Sequence, residues 1–287
     1  MEEGLDPVTA IRMATLNAAE CFDLKERGAI APGYRGDVVL LDDLKDFHVN
    51  RVFVEGELVA EEGKYLPEIK KCDIASVKGS VIVKDFSKEK FKMHLKSNKV
   101  NVIQILPGGV VTAKDIAEIE LDANGEFVRN PEVDLMKVAV VERHQGTGNV
   151  ACGFLKGYGI KEGAVALSVA HDSHNIIVVG VNDDEMEFAV NSLVEQEGGI
   201  VLVKEGKVIE SMPMPIAGLM SDQSGEWVDQ KLTDIHEKAY EELGICGEVE
   251  PVMTLCFMSL AVIPEIKLTD MGLFDVTTFS FIPVEVE

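Results

Sequence analysis

Two imidazoles, a carboxylate, a hydroxyl and a carboxamide stand in one short run, His171-Asp172-Ser173-His174-Asn175, at the end of the stretch Ser168-Val169-Ala170. Apolar residues lead in over 164–170 and out over 176–179, so these side chains sit at the junction of two strands that read as buried. Burying such groups is costly unless each finds a partner, which makes a binding or catalytic site one reading. The other is a solvated strand-to-strand turn, in which Asp172, Ser173 and Asn175 act as turn formers. The residue types would also suit a divalent metal. Three ligands from a single four-residue stretch, however, seldom all point inward. Arg143 and His144 close a second apolar run, 136–143, and are candidates to pair with the loop, Arg143 by holding Asp172 ionised.

These residues need a scaffold, and 287 residues with 46% apolar content can bury one large core or two ordinary ones. Fifty Asp and Glu against 27 Lys and Arg leave a formal charge of −23, which repels nucleic acid and acidic membrane surfaces; neither is expected as a partner. The five cysteines are odd in number and widely spaced, with no Cys-x-x-Cys pair, and read as reduced, mostly buried thiols. No signal peptide is expected from the acidic start, and the apolar run 252–263, bounded by Pro251 and Pro264, falls short of the roughly 20 residues of a membrane helix. A cytoplasmic location is expected.

Asp6-Pro7 should open a helix running to about Cys21, with apolar and small residues around much of its cylinder. Short strands are expected at 29–31, 37–42, 49–54 and 57–60, half of a small β domain. Beyond Lys71, strands are expected at 99–106 and 136–143, and a hairpin around Asn124-Gly125. Asn182 should cap a helix that Gly198-Gly199 stops; a strand pair turns about Glu205-Gly206, and a second helix follows Ser224. His236 reads as a packing or surface histidine and Trp227 as a core residue. The sum is an α+β (mixed α/β) chain divided as 1–70 and 71–287.

Leu16-Asn17-Ala18-Ala19 with the run from Gly28 to Val39 resembles the end of an amidohydrolase-superfamily enzyme, where the last helix of a (β/α)8 barrel returns into a β-sandwich. Glu142-Arg143-His144, the 153–160 run Gly-Phe-Leu-Lys-Gly-Tyr-Gly-Ile, the 168–175 stretch and the 215–221 run Pro-Ile-Ala-Gly-Leu-Met-Ser together resemble the C-terminal domain of bacterial and archaeal adenine deaminases. The resemblance implies hydrolysis of adenine to hypoxanthine and ammonia by a metal-activated hydroxide, the metal being manganese, iron or zinc. It implies His171, Asp172 and His174 as catalytic, and Arg143, His144, Ser173 and Asn175 as substrate-binding. The family's metal ligands lie in the barrel, so this chain is expected to bind no metal tightly, to need a missing N-terminal half as partner, and to form homo-oligomers. The alternative is a non-catalytic binding or assembly module that keeps the fold.

Overall fold

Asp6 opens the first helix as its sequence implies: its carboxylate accepts from the amide of Thr9 at 3.0 Å, with Pro7 at the first helical position. The computed structural model describes residues 4–108 and 110–286. It divides into two compact units between Cys72 and Asp73.

In the first unit, α1 (Pro7–Arg12) continues through a π turn at Met13–Asn17 into α2 (Ala18–Cys21). Four antiparallel strands follow in meander order: β1 (Val38–Leu41), β2 (Val49–Val54), β3 (Glu57–Glu61) and β4 (Lys64–Tyr65). No strand forms at 29–31. Gly28 has φ +89° and lies so close to the helix that a Cβ would sit 2.8 Å from that of Ala19, and the chain then turns through Pro32 and Gly33, Tyr34 N donating to Ala31 O. Glycine and proline punctuation here overrides the β propensity of Ile30. Ala19 is the one buried residue among those described in this unit, and Val8, Met13, Val39, Leu40, Val54 and Leu58 are all exposed.

The second unit is built on an eight-stranded sheet. Its elements in chain order are β5 (Lys99–Ile105), β6 (Thr112–Glu118), the small hairpin β7 (Glu120–Leu121) and β8 (Phe127–Val128), β9 (Leu135–Val141), β10 (Val150–Lys156), β11 (Ala164–Leu167), β12 (Ile176–Gly180), α3 (Asp183–Glu195), β13 (Gly199–Lys204), β14 (Lys207–Pro213), α4 (Gly225–Glu241), α5 (Pro251–Cys256), and a three-stranded sheet β15 (Ile266–Thr269), β16 (Gly272–Asp275) and β17 (Ser280–Phe281). The sheet order is β14-β13-β11-β12-β9-β10-β5-β6. β5 and β10 pair in parallel and the other neighbours antiparallel, so the unit is mixed α+β.

Strands β9, β11 and β12 are apolar along nearly their whole length because both faces are covered. Ala139, Val141, Ala166 and Val178 face Met186, Ala189, Val190 and Leu193 of α3. The alternate residues Val138, Val140, Val165 and Ile177 face Ile235 and Ala239 of α4 together with Leu255, Leu268 and Leu273. Each fully buried Val, Leu or Ile contributes about 1.5–3 kcal/mol. Asn182 caps α3 by accepting from Glu185 N, and Ser224 caps α4 by accepting from Trp227 N. Strand β10 is unannounced in the sequence. Its Gly153 lies mid-strand, where a Cβ would come 3.4 Å from Leu268, and so leaves room for the β15 hairpin to pack close.

Candidate functional site

Antiparallel pairing gathers four loops at one end of the sheet. Val141 lies opposite Ile176, and Leu167 opposite Ile200, so the end of β9, the β11–β12 loop and the start of β13 are neighbours. The chain leaving β14 joins them, Met214 N donating to Gly198 O.

Arg143 holds the cluster together. It is fully buried, and its Nε donates to His174 O at 2.5 Å, while both terminal nitrogens donate to Ala217 O at 3.2 Å. Its backbone amide donates to Asn175 Oδ1 at 3.3 Å. The expected ion pair with Asp172 does not form: Asp172 is exposed, and the guanidinium points inward to carbonyls that carry no formal charge. Arg143, expected to bind substrate, has no open face in this arrangement from which to touch a ligand. Burial lowers its pKa, which the charge of Glu142 opposes.

Glu142 organises the adjoining loop. Its carboxylate accepts from the amides of His144 at 2.5 Å, Gln145 at 2.7 Å and Thr147 at 2.9 Å, and from the Thr147 hydroxyl at 3.1 Å. Burial pushes its pKa up, but these four donors outweigh burial and hold it down to about 2.

The 168–175 loop is anchored at both ends and open in the middle. Ser168 donates to Gly218 O at 2.5 Å and accepts from Gly199 N at 2.7 Å. His171 N donates to Cys256 O at 3.0 Å, and its ring packs 4.8 Å from Phe257 and 5.9 Å, edge to face, from His174. His174 takes a left-handed φ of +53°; its Nδ1 is buried without a hydrogen-bond partner. Burial first, then the charges of His171 and Arg143, lower its pKa, against the Val169 backbone and the charge of Asp172, which raise it. His144 reaches back to the loop, Nε2 lying 2.7 Å from Ser173 O, and Ser173 itself is exposed. Asn175 donates to Asp270 Oδ1 at 3.1 Å.

The fold therefore brings His171, His174, Arg143, His144 and Asn175 together, with Asp172 and Ser173 at the exposed tip. Three contributors carried no signal as site residues: Glu142 in its loop-holding role, Asp270, and Ala217, whose carbonyl is the part used. Among the described residues no group of three His, Cys, Asp or Glu side chains is arranged to hold a metal ion. Two cavities, of about 220 Å³ beside Leu106, Val249 and Met253 and about 370 Å³ beside Arg129, Lys137 and Asp183, lie apart from the loop cluster. The cluster is an open rim of loops.

With that geometry in view, comparison with known proteins is decisive. Residues 109–280 match the adenine deaminase C-terminal domain. The chain belongs to that family. Residues 1–59 match the amidohydrolase family. Adenine deaminase 2 of Desulfotalea psychrophila is 64% identical over 284 residues, which is 99% of this chain and 49% of that protein. Adenine deaminase of Ligilactobacillus salivarius is 48% identical over 287 residues, 100% of this chain and 50% of that protein. The chain spans about half the length of the curated relatives it matches. Among the described residues no helix is long and apolar enough to cross a membrane.

Proposed function

We propose that this chain forms the C-terminal part of an adenine deaminase, which with water converts adenine to hypoxanthine and ammonia in purine metabolism, and that its loop cluster forms one wall of the site. The observation that carries this is the 64% identity to an adenine deaminase over 99% of the chain, with the polar 168–175 loop held rigid at one sheet end. In this reading a divalent metal, manganese, iron or zinc, would, when bound elsewhere in the enzyme, supply activation of water as the nucleophile. The described residues of this chain do not fit as its cage. Their own part is to orient substrate and move protons.

His171 and Asp172 are the proton-handling candidates. His171 has its backbone fixed by Cys256 O and its ring braced by Phe257, and Asp172 stands exposed beside it. His174 packs against His171 and steadies it. Ser173, Asn175 and His144 shape the same rim, where adenine would be met.

The rest of the site belongs to an N-terminal barrel half acting as partner. Exposed Val8, Met13, Val39 and Leu40 are suited to such a partner, and in its absence to self-association. A cytoplasmic location accords with this purine role.

The test is ammonia release from adenine by this chain alone, by the chain mixed with the barrel half, and by the joined polypeptide carrying His171→Ala or Asp172→Ala. The joined form should turn over and the chain alone should not. Each substitution should lower turnover by about 10²-fold or more with unchanged melting. Full activity in both variants would return the loop to a surface turn, and no activity in the joined form would favour a non-catalytic binding module.

A further inference from the structure

The 213–221 segment closes on itself. Ile216 and Met220 exchange both backbone hydrogen bonds, at 3.1 Å each, and Ala217 and Gly218 form the tip with φ of +56° and +71°. Three groups from outside grip that tip. Arg143 donates twice to Ala217 O, Ser168 donates to Gly218 O, and Val77 O accepts from Ala217 N at 2.8 Å.

The fit around the guanidinium leaves no slack. A Cβ on Gly218 would lie 2.7 Å from Arg143 Nη1 and 3.0 Å from its central carbon, and one on Gly198 would lie 2.6 Å from Gly218 Cα. The same planar group also holds His174 O through Nε. One fully buried side chain thus ties the carbonyls of two loops that are separate in sequence, and it does so with directions only a guanidinium fork offers.

We propose that Arg143 is the positioning residue of the loop cluster: it welds the 168–175 loop to the 216–220 turn, so that the turn becomes a second wall of the site and His171 and His174 keep their mutual geometry only while it is docked. This rests on the reading of the loop cluster as part of the deaminase site. Arg143 touches no substrate in this scheme. A lysine would not replace it, since a single ammonium lacks the fork that meets both carbonyls.

The test is chemical rescue, read first without catalysis. In Arg143→Ala of this chain, amide hydrogen exchange should rise by ~10-fold or more in both 171–175 and 217–220 while β9 and β12 stay protected. The His174 ring should titrate closer to an ordinary histidine. Guanidinium, at concentrations far below those that unfold proteins, should restore protection in both loops, and methylammonium should not. Arg143→Lys should behave as Arg143→Ala without rescue. Loss of protection in one loop only, or equal rescue by methylammonium, overturns the proposal.

If Arg143→Ala does not fold, Gly218→Ala tests the same contact by pushing on the guanidinium, and retained protection in the 171–175 loop overturns it. In the joined polypeptide, turnover should fall in Arg143→Ala and recover with guanidinium. Exchange rescue with unchanged turnover would leave the weld standing and remove the cluster from the active site.

Discussion

At the scale of single residues, the chemistry of the loop cluster is dominated by who accepts hydrogen bonds from whom. Glu142 makes this measurable. Its carboxylate, held down to about 2 against an ordinary 4.5, favours the folded state above pH 4.5, and that contribution is lost as pH falls toward 2. The shift corresponds to on the order of 3 kcal/mol. Glu142→Gln should therefore be less stable than the parent at pH 7, and the difference in urea midpoint should shrink between pH 4.5 and 2. A difference that stays constant with pH would show that the four donors do not act through the charge. The residue scale is also where the sequence was least legible. The run of His171, Asp172, His174 and Asn175 marks itself by polarity between apolar strands, and His144 does reach the loop. Arg143 misleads for a physical reason: its partners are the carbonyls of His174 and Ala217, and every residue has a carbonyl, so no side-chain pattern announces them.

At the scale of elements, periodicity and caps were informative wherever burial was strong. The apolar stretches at β9, β11 and β12, the Asn182 cap and the glycine stop of α3 follow from sequence because many residues agree. Strand β10 and the bend at 28–34 did not, since in each case close packing around a glycine decides the conformation. Strand β15 carries the sharpest local conflict. Lys267 is fully buried, and among the described residues its ammonium has one protein acceptor, Val110 O at 3.0 Å. Burial pushes its pKa down to about 8 from 10.5. Below pH 8 the amine is charged in both states and the folded chain bears the full desolvation cost. That cost is relieved as pH rises from 8 to 10.5, where the unfolded chain still holds the proton. Lys267→Met, close in volume, should stabilise the chain by about 2 kcal/mol at pH 7, the desolvation gain less one hydrogen bond. The gain should fade between pH 8 and 10.5. A destabilised variant at pH 7 would mean that the Val110 contact outweighs the cost of the buried charge.

For the molecule as a whole, stability is divided unequally. Beyond Asp73, three apolar clusters fill both sides of the sheet and the space under the β7–β8 hairpin, whereas Ala19 is the one buried residue described before it. Between them 66–73 is exposed throughout and holds Lys70 and Lys71 side by side. A unit with one buried residue among those described opens at little free-energy cost, and protease access tracks that opening. Brief trypsin treatment should therefore cut first within residues 25–78, and the lasting product should begin near Cys72 and keep a single cooperative melt. Mass spectrometry of the time course decides it: a lasting fragment that retains residues 4–72 while the eight-stranded sheet is nicked would mean that the first unit is stabilised by something other than its own burial. On the proposed pairing with a barrel half, the same time course run with that half present should show protection of residues 25–65, because the exposed side chains of Val39, Leu40 and Leu58 would then be covered.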